Sequence, residues 1–206
     1  MKLADLSIKE FLAKTASDSP VPGGGSVAAL SAAIAAGLAE MVANLTIGKK
    51  GYEATEEQMK DIAKNAVNYR NKLIKYIDRD SDAYNDVLSA FKLSKGNEQE
   101  QNIRKQTIQK ALKNASMVPL EVAKDAFKII ELAEEVVKHG NKNAVTDGAV
   151  AVMMARTAVL SALYNVKINL SSIKDMDFVD KIRKDVTSLE IEIENKEKEI
   201  LSRLSI

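Results

Sequence analysis

The sequence contains no cysteine and no tryptophan, and its single histidine is His139. This composition excludes thiol catalysis and nearly every zinc site, because cysteine and histidine are the usual zinc ligands. Aromatic residues make up only 4% of the chain, which argues against a platform that stacks nucleic-acid bases. Carboxylates, amides, lysines and backbone groups must therefore carry any chemistry, and no metal site is predicted.

The chain also lacks an excess of charge of either sign and a long apolar run. Its 30 basic and 29 acidic residues give a net charge of +1, which argues against nucleic acid or a membrane surface as the main partner. The uncharged run 27–39 is shorter than the roughly 20 residues that a membrane span requires. Asp5, Lys9 and Glu10 interrupt the region where a secretory signal would be apolar. We predict a soluble, cytoplasmic protein.

What the sequence does have is helical periodicity along nearly its whole length. No segment shows sustained two-residue alternation, and no linker or internal repeat divides residues 1–206. Capping-box spacing marks helix starts at Ser7 and Thr55, and Pro119 suits the first turn of another helix. We predict a single-domain, all-α bundle of about seven helices, at approximately residues 8–17, 26–48, 55–92, 98–116, 119–139, 143–170 and 174–206.

A glycine-rich turn leads into the alanine-rich second helix. Residues 20–26 read Pro-Val-Pro-Gly-Gly-Gly-Ser. With Ser26 as the helix cap, this turn would present bare backbone amides at a helix start, which is a favourable place for an anion. The glycines lack the spacing of a dinucleotide-binding motif, and Gly48-Lys49-Lys50 lacks the rest of a P-loop. A flexible cap followed by small residues for close helix packing is the other interpretation, and both remain open.

One acidic residue interrupts the apolar face of the long third helix. Apolar residues recur there every three or four positions, and Asp80 occupies the gap between Tyr76 and Ala83. Asp82 is rotated from Asp80 by about 200° and is predicted to face elsewhere. Because desolvation raises the pKa of a carboxyl group, a buried Asp80 would suit general acid–base catalysis near neutral pH. A buried aspartate bonded to a lysine or a helix end is an equally good interpretation.

Three polar residues lie in the nearly apolar segment 143–170. Asn165 and Asn169 are one helical turn apart and could bind one ligand together, although amides that bridge helices are the simpler interpretation. Asp147 shares the face of Asn165 but lies about 27 Å from it along the helix axis, too far for one small pocket. Asp147 also suits the first turn of a helix, where negative charge is favourable.

Taken in order, these segments resemble the cyclodeaminase/cyclohydrolase family of folate enzymes. The family forms the C-terminal part of bifunctional formiminotransferase-cyclodeaminase and also occurs as short separate chains. The similarity extends almost from end to end, with Ser94 and Thr146 replacing the family's usual proline and serine. The segments that carry it are Pro22–Ser26, Asn44–Thr46 with Lys49, Asp80–Tyr84, Phe91–Leu93 with Lys95, Arg104, Pro119–Leu120, Gly140–Asn141, Asp147, Asn165–Val166 and Asn169–Leu170.

The resemblance implies an all-helical homodimer that acts on a tetrahydrofolate derivative and requires no metal or redox cofactor. It places the catalytic aspartate at Asp80, which would transfer protons. The glycine turn would hold the pterin or a developing negative charge. Lys95 and Arg104 would bind the glutamate carboxylates of folate. Asn165 and Asn169 would bind the polar edge of the pterin. The substrate-binding residues implied in this way are Pro22, Gly23, Gly24, Gly25, Ser26, Lys95, Arg104, Asp147, Asn165 and Asn169.

Three functions are compatible with the resemblance. The leading prediction is a cyclodeaminase, which converts 5-formiminotetrahydrofolate to 5,10-methenyltetrahydrofolate and ammonia. The alternative is a cyclohydrolase, which interconverts 5,10-methenyl- and 10-formyltetrahydrofolate. The third is a folate-binding or helical assembly module without turnover, against which the intact Asp80 counts. No residue separates the first two functions, because both reactions pass through a tetrahedral carbon between N5 and N10 and mainly require proton transfer.

Overall fold

The computed structural model describes residues 2–204, which form six α-helices joined by short loops and three 3-10 turns, with no strand among them. The predicted all-α class is therefore confirmed. The predicted end of the last helix, Ile206, lies outside the described residues. The helices are α1 (Ile8–Thr15), α2 (Gly24–Asn44), α3 (Glu56–Phe91), α4 (Glu98–His139), α5 (Val145–Leu170) and α6 (Met176–Ser202).

The helix starts follow the predicted signals in part. The capping box at Ser7 is formed: Ser7 Oγ accepts from the Glu10 amide at 3.3 Å, and the Glu10 carboxylate accepts from the Ser7 amide at 2.8 Å. Thr55 precedes α3, but its hydroxyl donates to the Tyr52 carbonyl at 3.1 Å and does not cap the helix. The capping-box spacing therefore predicted both helix starts correctly, but the predicted capping contacts form only at Ser7.

Helix α4 is continuous where two helices were predicted, which reduces the count from seven to six. Pro119 lies inside α4 and not in the first turn of a new helix. A proline in a helix interior leaves the carbonyl four residues earlier without its usual donor. Here that carbonyl belongs to Ala115, and it accepts a hydrogen bond from Asn169 Nδ2 at 2.8 Å. The replacement donor comes from a different helix, so local sequence did not reveal it.

Helices α2 and α5 form the centre of the bundle. They pack against each other, and α2 also packs against α3 and α4. Many of the contacting residues are alanines without exposed surface, including Ala29, Ala36 and Ala155. Such short side chains allow neighbouring backbones to approach closely. One hydrophobic cluster draws residues from all six helices, and its burial is the main stabilising contribution to the fold.

The two central helices are also apolar on their outer faces. Within each of the segments 24–44 and 142–170, a stretch of 18 residues has a mean hydropathy of 1.7 and 1.5, respectively, so by length and composition alone each helix could cross a membrane. About half of each stretch, 56% and 50%, is buried inside the bundle, as expected for core helices. The large side chains that remain exposed are Val27, Ile34 and Met41 on α2, Leu45 directly after it, and Val150, Met153, Tyr164 and Ile168 on α5.

Candidate active site

A cavity of about 310 Å³ lies where the start of α2 meets α3, α4 and α5. Its size is at the lower end of the range typical of small-molecule sites. The cavity brings together residues that are far apart in the sequence, including three glycines, a carboxylate and two carboxamides. The lining residues are Pro20, Val21, Gly23, Gly24, Gly25, Asp80, Tyr84, Val87, Ala115, Asn165, Ile168 and Asn169.

Asp80 is the only ionisable carboxylate in that lining. It is partly buried, whereas Asp82 is exposed, as the helical periodicity predicted. Burial raises the pKa of Asp80 above its ordinary value, while hydrogen bonds from the Ser26 hydroxyl and backbone amide act in the opposite direction. The group therefore combines access to a cavity with a pKa displaced towards neutrality, which is the arrangement that acid–base catalysis requires.

The start of α2 is built around the Asp80 carboxylate. The helix begins at Gly24 with Gly23 as its N-cap, so Ser26 is already in the first turn and the predicted serine cap is wrong. A Cβ atom on Gly25 would lie 2.6 Å from Asp80 Oδ2 and closer still to Oδ1. The first amides of a helix favour a negative charge, and at the start of α2 the Asp80 carboxylate provides that charge. Gly25 is thus required for a close approach between α2 and α3.

Ser26 is fully buried beneath this contact and can adopt two hydrogen-bond arrangements. Its Oγ lies 2.8 Å from the Ile77 carbonyl oxygen and 3.1 Å from Asp80 Oδ2. A hydroxyl has one proton, so it can donate to only one of these acceptors at a time. When Asp80 is ionised, Ser26 can donate to it; when Asp80 is protonated, Ser26 can accept from it and donate to Ile77. The hydroxyl can therefore remain hydrogen-bonded in either protonation state, and its donation to the ionised carboxylate lowers the pKa of Asp80.

The two asparagines on α5 face the same cavity. Asn165 Nδ2 donates to the Ser161 carbonyl at 2.9 Å, and Asn169 Nδ2 donates to the Ala115 carbonyl at 2.8 Å. Asn165 also lies against the backbone of Gly24, because a Cβ there would be 3.1 Å from Asn165 Nδ2. Asn169 therefore bridges α5 and α4, whereas Asn165 bonds within α5. Both amides line the cavity, and their binding of one ligand remains a prediction.

Five of the predicted substrate-binding residues lie outside the cavity lining. Pro22 is buried beside the cavity and Ser26 beneath it. Lys95 is exposed in the loop between α3 and α4, and Arg104 donates to the Phe91 carbonyl at 3.1 Å. Asp147 lies in the first turn of α5, at the opposite end of that helix from Asn165. Their roles in binding remain predictions.

Tyr84, Val87 and Ile168 line the cavity but were not predicted to bind substrate. Tyr84 follows Asp80 by one helical turn, so the spacing of four residues on α3 was a usable signal. Ile168 adjoins Asn169 and is 68% exposed, which places an apolar side chain at the mouth of the cavity. Tyr84 and Val87 on α3 and Ile168 on α5 thus give the cavity lining an apolar and partly aromatic surface suited to a flat ring.

Among residues 2–204, no three histidine, aspartate or glutamate side chains converge where they could hold a metal ion. The prediction that no cofactor is required is not tested by this geometry. Asp80 and the two carboxamides account for the polar side chains of the lining, apart from the Tyr84 hydroxyl.

Comparison with known proteins gives the same family over most of the chain. Residues 7–188 match the formiminotransferase-cyclodeaminase family model. The chain is 38% identical to methenyltetrahydrofolate cyclohydrolase of Methylorubrum extorquens, over 89% of this chain and 88% of that protein. It is 33% identical to formimidoyltransferase-cyclodeaminase of Rattus norvegicus over 91% of this chain, but it spans only 35% of that longer protein.

The structural comparison agrees with the sequence comparison. A crystal structure of formiminotetrahydrofolate cyclodeaminase from Thermotoga maritima superposes with a TM-score of 0.86 at 33% identity, covering 97% of this chain and 96% of that one. Similarity of this extent includes every helix that lines the cavity. The chain therefore belongs to the formiminotransferase-cyclodeaminase family.

Proposed function

We propose that this protein is a methenyltetrahydrofolate cyclohydrolase, which adds water to 5,10-methenyltetrahydrofolate to give 10-formyltetrahydrofolate. The observation that carries the proposal is the similarity to the Methylorubrum extorquens cyclohydrolase along nearly the full length of both chains. From the sequence alone the cyclodeaminase is the leading prediction. The comparisons give more support to the alternative, because the chain spans only about a third of the bifunctional relatives.

In the proposed reaction Asp80 acts first as a base and then as an acid. Water attacks the carbon that bridges N5 and N10, and Asp80 takes one of its protons. The resulting tetrahedral carbon then loses its bond to N5, the oxygen becomes the formyl carbonyl with release of its remaining proton, and Asp80 returns its proton to N5. A raised pKa suits this alternation, because it makes the protonated form of Asp80 more accessible than that of an ordinary aspartate.

A cyclodeaminase is the second candidate, and the Thermotoga maritima structure is the observation that favours it. In that reaction N10 attacks the formimino carbon while Asp80 takes the N10 proton. The formimino group reacts in its protonated form, so its nitrogen becomes an amino group when N10 attacks. Asp80 then returns its proton to that nitrogen, and ammonia leaves to give 5,10-methenyltetrahydrofolate, the compound that the cyclohydrolase consumes. One cavity aspartate would serve either reaction, so its geometry does not discriminate between them.

Ultraviolet detection of 5,10-methenyltetrahydrofolate distinguishes these functions. Loss of added methenyltetrahydrofolate faster than in buffer supports the cyclohydrolase. Formation of the chromophore from 5-formiminotetrahydrofolate, with release of ammonia, supports the cyclodeaminase. If neither rate exceeds that of the Asp80→Ala variant, both enzyme proposals fail and a folate-binding module without turnover becomes the better account.

Ser26→Ala is expected to move the pH dependence of kcat/KM to higher pH. The substitution removes a hydroxyl that donates to Asp80 and lowers its pKa, while burial, which raises the pKa, is unchanged. The ionised base would therefore form only at higher pH, and the acidic limb of the profile would shift upward. Ser81→Ala is the matched control, because Ser81 bonds to Ser26 at 3.2 Å but has no bond to Asp80. An unshifted limb in Ser26→Ala would contradict this role.

We further propose that the protein is a cytoplasmic homodimer that functions without a metal or redox cofactor. Support for the dimer comes from the apolar outer faces of α2 and α5, on which Ile34 and Tyr164 are 44% and 69% exposed. Val27, Ile34 and Met41 recur every seven residues and so share one face of α2. A large exposed apolar face is unusual on a monomer. A second copy of the chain would cover it.

Light scattering is expected to give twice the chain mass of 22.5 kDa for the wild type. Ile34→Lys places a charge on the outer face of α2 and is expected to yield the monomer mass, because burying an unpaired charge in an interface is strongly unfavourable. Ile191→Lys is the matched control, since Ile191 is 58% exposed but lies on α6. A monomeric wild type, or a dimer in Ile34→Lys, would contradict an interface at this face.

A further inference from the structure

Pro119 creates an unusual backbone acceptor next to the cavity. In an uninterrupted helix the amide of residue 119 would donate to the carbonyl of Ala115, but proline has no amide hydrogen. Ala115 lines the cavity, and Pro119 is buried in α4. A buried carbonyl without a donor is destabilising, so this position requires a substitute.

Asn169 supplies that substitute from α5, at 2.8 Å from Asn169 Nδ2 to the Ala115 oxygen. Because a backbone carbonyl can only accept, the bonded atom of Asn169 must be the amide nitrogen. The orientation of the carboxamide is therefore fixed by chemistry. Asn169 Oδ1 accepts no hydrogen bond from any described residue and belongs to a side chain that lines the cavity.

Asn165 differs from Asn169 in the backbone carbonyl to which it donates. Its Nδ2 also donates to a backbone carbonyl, that of Ser161 at 2.9 Å. Ser161 and Asn165 are four residues apart in α5, so the same carbonyl is also the normal acceptor for the Asn165 backbone amide. The Ser161 carbonyl keeps a donor if the Asn165 side chain is removed, whereas the Ala115 carbonyl depends on Asn169.

We propose that Pro119 is a positioning residue: by depriving the Ala115 carbonyl of its helical donor, it makes the bond from Asn169 Nδ2 necessary and so holds Asn169 with its Oδ1 placed to accept a hydrogen bond from an N–H group of the substrate. This inference rests on the proposed function, because it requires a reduced folate in the cavity. A reduced pterin ring carries several N–H donors along one edge, and a fixed acceptor selects that edge. Asn169 thus uses its Nδ2 to satisfy the Ala115 carbonyl of α4 and its Oδ1 to accept a hydrogen bond from the substrate.

The test is a double-mutant cycle of Asn169→Ala, Pro119→Ala and the two combined. Each variant is compared by its thermal unfolding midpoint, by its Kd for 5-formyltetrahydrofolate as a stable reduced-folate probe, and by kcat and KM with methenyltetrahydrofolate. The binding measurement does not depend on turnover. Asn165→Ala is the stability control, because its anchoring carbonyl retains a helical donor.

Asn169→Ala is expected to lower the unfolding midpoint and to raise both Kd and KM about five- to tenfold, the effect of one lost neutral hydrogen bond. Adding Pro119→Ala should restore the midpoint, since residue 119 then donates to Ala115, but should not restore Kd or KM. Pro119→Ala alone should raise Kd and KM without lowering the midpoint and with kcat nearly unchanged. A weaker affinity without a lower unfolding midpoint is the result expected for a positioning residue.

Three results would overturn the inference: an unchanged Kd in Asn169→Ala, an unchanged Kd in Pro119→Ala, or recovery of Kd in the double variant. Failure of the wild type to bind the reduced folate would overturn it as well. Binding by the wild type without any turnover would overturn the proposed enzymatic function alone. The Kd values of the wild type, the two single variants and the double variant would still decide the role of Pro119.

Discussion

Asp80→Asn is expected to lower kcat by about 10²–10⁴-fold, the usual contribution of a general acid–base group, while the helical fold is retained. The substitution preserves the size of the side chain and its ability to accept from Ser26, but it removes the group that takes and returns a proton. Methenyltetrahydrofolate turnover measures the loss, and circular dichroism tests the fold. Asp82→Asn is the control, because Asp82 is exposed on the same helix and should retain full activity.

The same variant should be as stable as the wild type at neutral pH, or more stable. Because burial raises the pKa of Asp80, the folded protein holds this proton more tightly than the unfolded chain does. Stability of the wild type therefore falls as the pH rises from the ordinary aspartate value of 3.8 through the raised pKa, and the Asp80→Asn variant would avoid that fall because its carboxamide does not titrate. The difference in unfolding midpoint should shrink on acidification. Near-normal turnover, or a large loss of stability at neutral pH, would contradict the assigned role.

Gly25→Ala is expected to reduce turnover by roughly 10²-fold, because displacement of a catalytic group by about 1 Å can have an effect of that size. The added methyl group would occupy space now filled by the Asp80 carboxylate, with 2.5 Å between the new Cβ and Asp80 Cγ. Either the carboxylate or the start of α2 must move. Steady-state kinetics and thermal unfolding together measure the consequence.

Gly37→Ala is the matched control on the same helix. A Cβ at Gly37 would meet only Arg70 Cδ, at an ordinary contact distance of 3.7 Å. This substitution should leave turnover unchanged and stabilise the protein by about 0.5–1 kcal/mol, the usual gain when alanine replaces glycine within a helix. Equal turnover in the two alanine variants would contradict the close approach between Gly25 and Asp80.

The sequence predicted those features that depend on periodicity within one helix. The gap in the apolar face of α3 placed Asp80 on the buried side and Asp82 on the exposed side, and the structure confirms both positions. Features that depend on contact between distant segments were not predictable. Ser26 has the composition of a helix cap, yet its hydroxyl bonds across to Ile77 and Asp80 on α3.

The division of α4 into two helices was wrong for the same reason. Proline usually marks a helix start or end, and the donor that makes Pro119 tolerable lies on α5. Family resemblance supplied the candidate residues, but only the structure separates those that line the cavity, such as Asn165, from those that lie elsewhere, such as Lys95 and Asp147.

The contacts that define the cavity also determine when it can form during synthesis. The bonds from Ser26 to Asp80 and from Asn169 to Ala115 each join residues 54 positions apart in the chain. A nascent chain can hold the first contact once α3 has emerged from the ribosome, but the wall that carries the asparagines is added only with α5. Until then the Ala115 carbonyl lacks its donor from α5, so catalytic competence is acquired late in folding.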